Sequence, residues 1–399
     1  MRRKRSVGAR MWLLAGLLLA GLTWYWWRGS HAPQRATIRT LPPSIAAGNN
    51  LLRIPVTHTQ TTRPATPNAA TTNAVEAPLA SQRATDNASG QRGRVDTTTR
   101  GTNALPVLLN LTNYPRPVQN VLELQIALAR LGFSPGSLDG KMGPQTRAAL
   151  AGFQLKERLN VTSDLDNPTR QALLLGSAPM ASYIVTSNDL ARLQPLSPTW
   201  LGKSQQTALE YETVLELVSE RGQAAPDLVR RLNPGIDFDN LSAGAAIELP
   251  SVGSPPNSST AAYLTIRLAG RVLEAWDEGT NLLAHFPCSI ARRVERRPVG
   301  ELHVAAIALH PNYTFDPETF PESDEARFLK TKLVLPPGPN NPVGIAWIGL
   351  DKPGYGIHGT PNPEQVGRTE SHGCFRLANW NAEYLLRLVT VGTPVYVEP

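Results

Sequence analysis

Two histidines and one of the chain's only two cysteines lie together in a single stretch near the carboxyl end of the sequence. The stretch covers residues 357–377 and reads IHGTPNPEQVGRTESHGCFRL. A cysteine is a strong nucleophile as a thiolate, and a neighbouring imidazolium can lower a thiol pKa from about 8.5 into roughly the 3.5–7.5 range. Cys374, with His358 or His372 as its partner, therefore predicts nucleophilic chemistry.

The residues around Cys374 also suggest how the charge of such a reaction is stabilised. Gly373 permits a tight turn, so the amide groups of His372, Gly373 and Cys374 could converge on a developing oxyanion. His358 ends a strand-like run, and a rigid sheet could direct its ring at a thiol from the following loop. This pattern is typical of an acyl-transfer site.

The same stretch resembles the catalytic motif of the L,D-transpeptidase family, which is a His-Gly pair, a variable loop, and then Ser-His-Gly-Cys before a hydrophobic residue and Arg or Asn. The corresponding residues are His358-Gly359 and Ser371-His372-Gly373-Cys374-Phe375-Arg376. The resemblance covers roughly residues 261–399.

The resemblance implies a role for each of these residues. Cys374 would be the nucleophile, His358 its proton partner, and the Gly359 carbonyl the group that orients His358. Ser371, His372 and Gly373 would frame the oxyanion site. No cofactor or metal is expected, because a nucleophile and an oxyanion site suffice for this chemistry.

Other readings of these residues are simpler. Cys288, in the sequence Phe-Pro-Cys-Ser, is interpreted as a small buried hydrophobe. A zinc site built from His358, His372 and Cys374 would need a fourth ligand to close it, and no recognisable spacing supplies one.

Arg368 and Arg376 flank the thiol in the sequence. Each could bind a substrate carboxylate through two parallel hydrogen bonds, and each could instead form a structural ion pair. Both interpretations stay open for both residues.

The whole chain has 399 residues, which is room for two or three domains, and only two cysteines, which argues against a disulfide framework. Its net charge of +7 is concentrated at the start. Residues 1–115 hold 14 Lys and Arg against three Asp and Glu, whereas the remainder holds 25 basic and 29 acidic residues. A mildly acidic globular part argues against nucleic acid as a partner.

The amino-terminal part predicts attachment to a membrane. A basic cytoplasmic segment, residues 1–10, precedes an uncharged apolar run at 11–27 that is just long enough to span a thin bilayer. The run ends in Trp24-Tyr25-Trp26-Trp27, which suits a membrane interface better than a signal-peptide cleavage site. We therefore expect an uncleaved signal-anchor, with the rest of the protein on the periplasmic or cell-wall side.

A low-complexity stretch and a small helical domain follow. Residues 28–115 are rich in Thr, Ala, Pro, Asn and Arg, which predicts a disordered linker. Residues 116–176 show helical spacing of apolar residues, with Pro144 in the first turn of a second helix and Asn167 as the cap of a third. This small three-helix bundle resembles the peptidoglycan-binding domain family.

Residues 182–252 resemble a LysM module, a family that binds polymers containing N-acetylglucosamine. Two short helices near Thr213 and Leu228 precede a strand that ends at Pro250. The expected Gly-Asp-Thr of the first strand is absent, and residues 188–209 look like an insertion. Glycan binding and a spacer role both remain possible roles for this α+β module.

The last 139 residues, 261–399, carry the catalytic motif and predict a β-rich mixed sandwich or barrel. Short alternating apolar runs predict its strands, a helix follows Cys374, and residues 310–342 form a long excursion that could edge the active site.

Together these features predict a multidomain, membrane-anchored L,D-transpeptidase that acts on peptidoglycan stem peptides and glycan. An L,D-carboxypeptidase, with water as acceptor, and a catalytically silent cell-wall tether are the alternatives. The sequence favours accessory modules that only hold the enzyme on its polymer, and the competing hypothesis is that the insertion at 188–209 forms a lid over the thiol.

Overall fold

The computed structural model describes residues 113–256, 259–319, 323–369 and 373–399. The predicted basic segment 1–10, the predicted anchor 11–27 and the predicted linker up to residue 112 lie outside these ranges. Within the described part of the chain, no helix is both long and apolar enough to cross a membrane. All of the described residues belong to one compact unit.

Three helices and a short strand pair occupy the region predicted as a helical bundle. The elements are β1 (Arg116–Pro117), α1 (Val121–Arg130), α2 (Pro144–Lys156), α3 (Asn167–Ala172) and β2 (Leu174–Leu175). Pro144 lies in the first turn of α2, as predicted. The cap of α3 is Asp166, whose carboxylate accepts a hydrogen bond from Thr169 N at 2.9 Å. The prediction that Asn167 caps this helix is therefore wrong by one residue.

An antiparallel strand pair with four intervening helices follows. The elements are β3 (Met180–Ile184), α4 (Ser187–Arg192), α5 (Trp200–Gln205), α6 (Val214–Arg221), α7 (Pro226–Leu232) and β4 (Ala246–Pro250). The helices α6 and α7 and the strand ending at Pro250 lie where the sequence predicts them, and Thr213 caps α6. α5 and most of α4 lie within the predicted insertion. The LysM resemblance itself stays a prediction.

One hydrophobic core runs through both of these regions. Leu124 of α1 and Leu217 of α6 belong to the same buried cluster. Between the regions, Leu138 N donates a hydrogen bond to Gln223 O at 2.9 Å, and Ala225 N donates to Leu138 O at 2.9 Å. The helical region and the LysM-like module are thus packed together as one body.

The described residues from 259 onward build one mixed sheet of eight strands, a separate strand pair, one α-helix and four short 3-10 helices. The elements are β5 (Tyr263–Arg267), β6 (Val272–Trp276), β7 (Leu282–Pro287), β8 (Gly300–Leu309), β9 (Tyr313–Phe315), β10 (Leu333–Leu335), β11 (Ala346–Leu350), β12 (Gly356–His358), β13 (Phe375–Arg376), α8 (Asn379–Leu388) and β14 (Pro394–Glu398). The order in the sheet is β13-β12-β11-β8-β14-β5-β6-β7.

The sheet is continuous because its two halves share the long strand β8. Residues 300–303 of β8 pair with β14, and residues 304–309 pair with β11. The predicted sandwich is therefore a single curled sheet rather than two separate sheets. The predicted helix after Cys374 is present as α8, which buries Ala382 and Leu385 completely.

The 310–342 segment, which connects β8 to β11, packs on the predicted insertion of the preceding module. Its strands β9 and β10 pair antiparallel. The ring of Trp200 in α5 stacks on Phe315 of β9, with ring centroids 4.3 Å apart. Leu209 and Leu335 are fully buried in the same small cluster. The excursion and the insertion thus share a hydrophobic core of their own.

The helical region also docks on β7, the edge strand of the sheet. Ser134 N donates a hydrogen bond to His285 O at 2.8 Å, and His285 N donates to Gly132 O at 3.0 Å. Asn381 Nδ2 in α8 donates to Ser134 Oγ at 2.9 Å. The two bonds of His285 use backbone groups that an edge strand would otherwise leave unpaired.

Candidate active site

A parallel strand pair brings His358 and Cys374 to one side of the sheet. In β12 and β13, Ile357 lies opposite Phe375 and His358 lies opposite Arg376. Ile357 and Phe375 are buried in the core, so the alternation of side chains directs His358 and Arg376 to the other face. Cys374 directly precedes β13, two residues from Arg376. The same alternation predicts that its thiol shares the face of the imidazole.

The imidazole of His358 is held in one orientation. Its Nδ1 lies 2.6 Å from Gly359 O, and Trp347 of β11 stacks on the ring with centroids 5.7 Å apart. The carbonyl can only accept, so Nδ1 carries the proton and Nε2 presents its lone pair. The residue is 6% exposed. Burial lowers the pKa of His358 to about 4, and the charge of Arg376 adds to this effect.

The surroundings of the Cys374 thiol favour its neutral, protonated form. Cys374 is half-buried, and its Sγ donates a hydrogen bond to Gly354 O at 3.5 Å. Burial raises the pKa of Cys374, although a hydrogen bond from the backbone of Gly356 and the charge of Arg376 act in the opposite direction. Burial of His358 favours its neutral form, so His358 does not supply a resting imidazolium to lower this pKa. His372, the other predicted partner, lies outside the described residues.

Cys288 is the other cysteine, and it behaves as predicted. It is 0% exposed and belongs to the core of the sheet. Burial raises the pKa of Cys288 to about 12, so this thiol has neither access nor charge.

The structure places the two flanking arginines in different surroundings. Arg376 in β13 is close enough to influence the charge of both His358 and Cys374. Arg368 is exposed and lines a cleft against the helical region, together with Lys141, Gln145 and Gly367. Gln145 Nε2 donates to Val366 O at 2.7 Å across that cleft.

Two predicted members of the oxyanion frame, Ser371 and His372, lie outside the described residues. Gly373, the third member, forms a bend with Cys374 directly before β13. In the part of the chain that the structure describes, no group of three or more His, Cys, Asp or Glu side chains is arranged to hold a metal ion.

The motif gave no indication of three further residues near the site. Trp347 is directly opposite His358 in the sheet. Asn379, at the start of α8, is fully buried between Gly344 and Gly359, and a Cβ at either glycine would overlap its Oδ1. Tyr313 of β9 lies within reach of the charge of Cys374. Only the side-chain alternation along β11 could have placed Trp347 on the face of His358.

Two family models match the chain. Residues 261–397 match the L,D-transpeptidase catalytic domain (YkuD), and residues 117–173 match the peptidoglycan binding domain. The second match supports peptidoglycan as a partner.

Proteins named as L,D-transpeptidases are similar to this chain in sequence. YkuD of Bacillus licheniformis is 27% identical over 186 residues, which is 46% of this chain and 93% of that protein. YbiS of Escherichia coli strain K12 is 27% identical over 192 residues, which is 45% of this chain and 58% of that protein. The matches therefore span nearly all of one relative and little more than half of the other.

Among solved structures, the L,D-transpeptidase from Xylanimonas cellulosilytica (residues 123–326) is 15% identical. The comparison covers 71% of this chain and 98% of that one, with a TM-score of 0.30. At this TM-score the assignment depends on the sequence matches alone. From those matches, the chain carries a catalytic domain of the L,D-transpeptidase family at residues 261–397, preceded by a domain of the peptidoglycan-binding family at residues 117–173.

Proposed function

We propose that this protein is a peptidoglycan L,D-transpeptidase that forms a thioester between Cys374 and a tetrapeptide stem. The observation that carries the proposal is the parallel pairing of β12, which ends at His358, with β13, which begins directly after Cys374. The hydrogen bond between His358 Nδ1 and Gly359 O supports it, because it leaves Nε2 as a proton acceptor.

In the first half of the reaction, the Cys374 sulfur attacks the carbonyl carbon before the terminal D-residue while its proton moves to His358 Nε2. The resulting oxyanion is stabilised by backbone amides at Gly373 and Cys374, with Ser371 and His372 completing the frame. The C–N bond then breaks, and the proton on Nε2 passes to the leaving amine. The product is the thioester with neutral His358.

In the second half, an amine of an acceptor stem or protein attacks the thioester carbon and gives its proton to His358. The C–S bond breaks, and the thiolate takes the proton back from the imidazolium. The charge of Arg376 lowers the pKa of both groups, so it favours the thiolate as a leaving group and makes the His358 imidazolium a stronger acid toward the leaving amine. We also propose Arg376 and Arg368 as groups that bind substrate carboxylates.

The remaining parts of the chain fit a cell-wall location. We propose that residues 11–27 anchor the protein in the cytoplasmic membrane, that residues 28–115 form the linker, and that the catalytic domain faces the cell wall. The module at 182–252 is proposed to contact glycan as a LysM-like domain. Mapping the mature amino terminus and fractionating membranes test the anchor, and an amino terminus near Ser30 would contradict it.

The decisive experiment supplies purified protein with a disaccharide-tetrapeptide and identifies the products by mass. We expect a cross-linked dimer with loss of the terminal D-residue, and no product from Cys374→Ala. A tripeptide without any dimer would instead identify a carboxypeptidase. No product together with retained binding to insoluble peptidoglycan would identify a tether.

A further inference from the structure

Helix α6 of the LysM-like module contacts the catalytic domain through two carboxylates one helical turn apart. Glu216 Oε1 accepts a hydrogen bond from Asn340 Nδ2 at 2.6 Å. Glu220 Oε1 accepts one from Asn379 Nδ2 at 2.9 Å. Residues four apart lie on the same face of a helix, so both bonds come from one face of α6.

Glu220 reaches the loop that orients His358. Its partner Asn379 also donates from Nδ2 to Pro339 O at 3.1 Å and accepts from Ile345 N at 3.3 Å. The Oδ1 of Asn379 lies where a Cβ of Gly359 would be. Because the Gly359 carbonyl accepts the His358 Nδ1 proton, Asn379 supports the peptide that holds the imidazole.

Glu216 reaches the carboxyl end of the 310–342 segment. Its partner Asn340 also donates from Nδ2 to Glu210 O at 2.9 Å, and from its backbone N to Leu209 O at 3.0 Å. Leu209 N in turn donates to Pro337 O at 2.9 Å. The end of the segment is thus fixed to residues 209–216 of the module.

The same module holds the front of the 310–342 segment. The Glu325 carboxylate accepts hydrogen bonds from Trp200 N at 2.6 Å and Leu201 N at 2.9 Å, which are amides at the start of α5. The Trp200 ring stacks on Phe315, two residues after Tyr313. Burial raises the pKa of Tyr313 to about 12, and the Cys374 charge adds to this effect.

We propose that Glu216 and Glu220 are positioning residues for the active site, so that the LysM-like module fixes the peptide at Gly359 and the adjoining end of the 310–342 segment. The proposal rests on the proposed function in assigning roles to Cys374 and His358. It assigns the module a part in the geometry of the reaction, in addition to any contact with glycan. In this proposal each carboxyl group acts on the site through one asparagine.

The test uses full-length Glu216→Ala and Glu220→Ala, each beside its glutamine variant. A glutamine side chain keeps an oxygen that can accept from the same asparagine, whereas alanine removes the acceptor. Asp227→Ala is the matched control, because Asp227 is an exposed carboxylate on α7 of the same module. Two rates are measured: thioester formation with the stem peptide, and alkylation of Cys374 by iodoacetamide.

We expect each alanine variant to lower the rate constant of thioester formation roughly tenfold or more, since small displacements of reacting groups have effects of this size. KM should change less than kcat, the glutamine variants should recover most of the rate, and Asp227→Ala should stay within about twofold of wild type. Wild-type rates in both alanine variants, or glutamine variants as slow as alanine, would overturn the proposal.

The alkylation measurement separates this proposal from the proposed function. It needs no peptidoglycan substrate, so it reports on the surroundings of Cys374 even if wild-type protein forms no thioester. We expect the alanine variants to expose the thiol and increase its alkylation rate at least about threefold, because the 310–342 segment and the Gly359 peptide lose their supports. An unchanged alkylation rate in both alanine variants would count against positioning, whatever the activity.

Discussion

The resting charges of Cys374 and His358 distinguish two ways of activating the sulfur. A preformed thiolate and imidazolium would require His358 to hold two protons, and burial lowers the pKa of His358 to about 4. Burial also raises the pKa of Cys374. The site therefore resembles a neutral thiol beside a neutral base, in which the proton moves as the sulfur attacks.

The alkylation of Cys374 should show this difference directly. Iodoacetamide reacts with the thiolate, so the rate should rise with a midpoint above the ordinary thiol value of about 8.5. Mass spectrometry of the peptide that contains Cys374 measures the rate, and the peptide that contains the buried Cys288 is the internal control. A midpoint below about pH 7 would instead indicate a preformed ion pair.

Removing the imidazole should have a large effect on thioester formation. His358→Ala is expected to lower that rate at least about a hundredfold, because a positioned general base contributes about this much. His303→Ala is a matched control, since His303 lies on β8 and pairs with Asp351 at the surface. In wild-type protein the rate should also fall as the pH drops through about 4, where His358 becomes protonated. A near-normal rate in His358→Ala would move the role to His372.

Sequence reasoning proposed Cys374 and His358 because they lie in one short motif whose residue types define the chemistry. It did not find Trp347 or Asn379, because each approaches His358 only through the sheet or through the start of α8. The motif also could not predict the protonation states of Cys374 and His358, since a pKa depends on burial and on neighbouring groups that the residue types do not specify.

Helix α6 carries a carboxyl group whose protonation should make the stability of the protein depend on pH. Burial raises the pKa of Glu220 from 4.5 to about 8. Between about pH 4.5 and 8, the folded protein therefore keeps a proton that the unfolded chain has released. The contribution of Glu220 to the free energy of unfolding is lost as the pH rises through this range. His358 has the opposite sign, with a contribution that grows as the pH rises from about 4 to 6.5.

Thermal unfolding between pH 6.5 and 8 should isolate the carboxylate. The unfolding temperature of wild-type protein should fall over this range more than that of Glu220→Gln, which carries no titrating group at this position. Burial also raises the pKa values of Glu216 and Glu364, and both interact with Glu220, so the difference in slope reports Glu220 together with this coupling. Asp227→Asn should retain the wild-type slope. Parallel slopes for wild type and Glu220→Gln would contradict the assignment.

Sequence patterns predicted the positions of most helices and strands, but not which of these elements pack against one another. Proline positions, capping residues and apolar spacing indicated α2, α6, α7 and α8, because these signals are local. The insertion at 188–209 and the excursion at 310–342 were recognised separately, and their shared core of Leu209, Phe315 and Leu335 was not foreseen. The single sheet was missed because one long strand, β8, serves both halves.

The whole described unit behaves as one packed body rather than as three modules on linkers. The helical region and the LysM-like module share a core that also includes Leu282 of β7. Family resemblance identifies each module but not its contacts. A family motif contains residues that belong to one module, so it carries no information on which other module packs against it. The helices α5 and α6 contact the catalytic domain, and both the tether and the lid at 188–209 stay predictions.

Calorimetry should therefore show a single unfolding transition for residues 113–399 within the full chain. Leu138 is fully buried where the helical region meets the LysM-like module, and Leu138→Ala should cost about 2–5 kcal/mol. That loss should lower the temperature of the whole transition. An exposed matched change, Leu201→Ala, should leave it nearly unchanged. A separate early peak for the helical region would show that the modules unfold independently.

The backbone hydrogen bonds that join Gly132 and Ser134 to His285 fix the distance between the helical region and the catalytic domain. A glycan strand held by the helical region and a stem peptide at Cys374 would be separated by a constant vector, because these hydrogen bonds and the shared core join the two regions. The proposed reaction would then take place at a fixed distance from the point where the glycan is bound. Cross-links made by this protein on long glycan strands should recur at a preferred spacing, whereas an enzyme on a slack linker would distribute them at random.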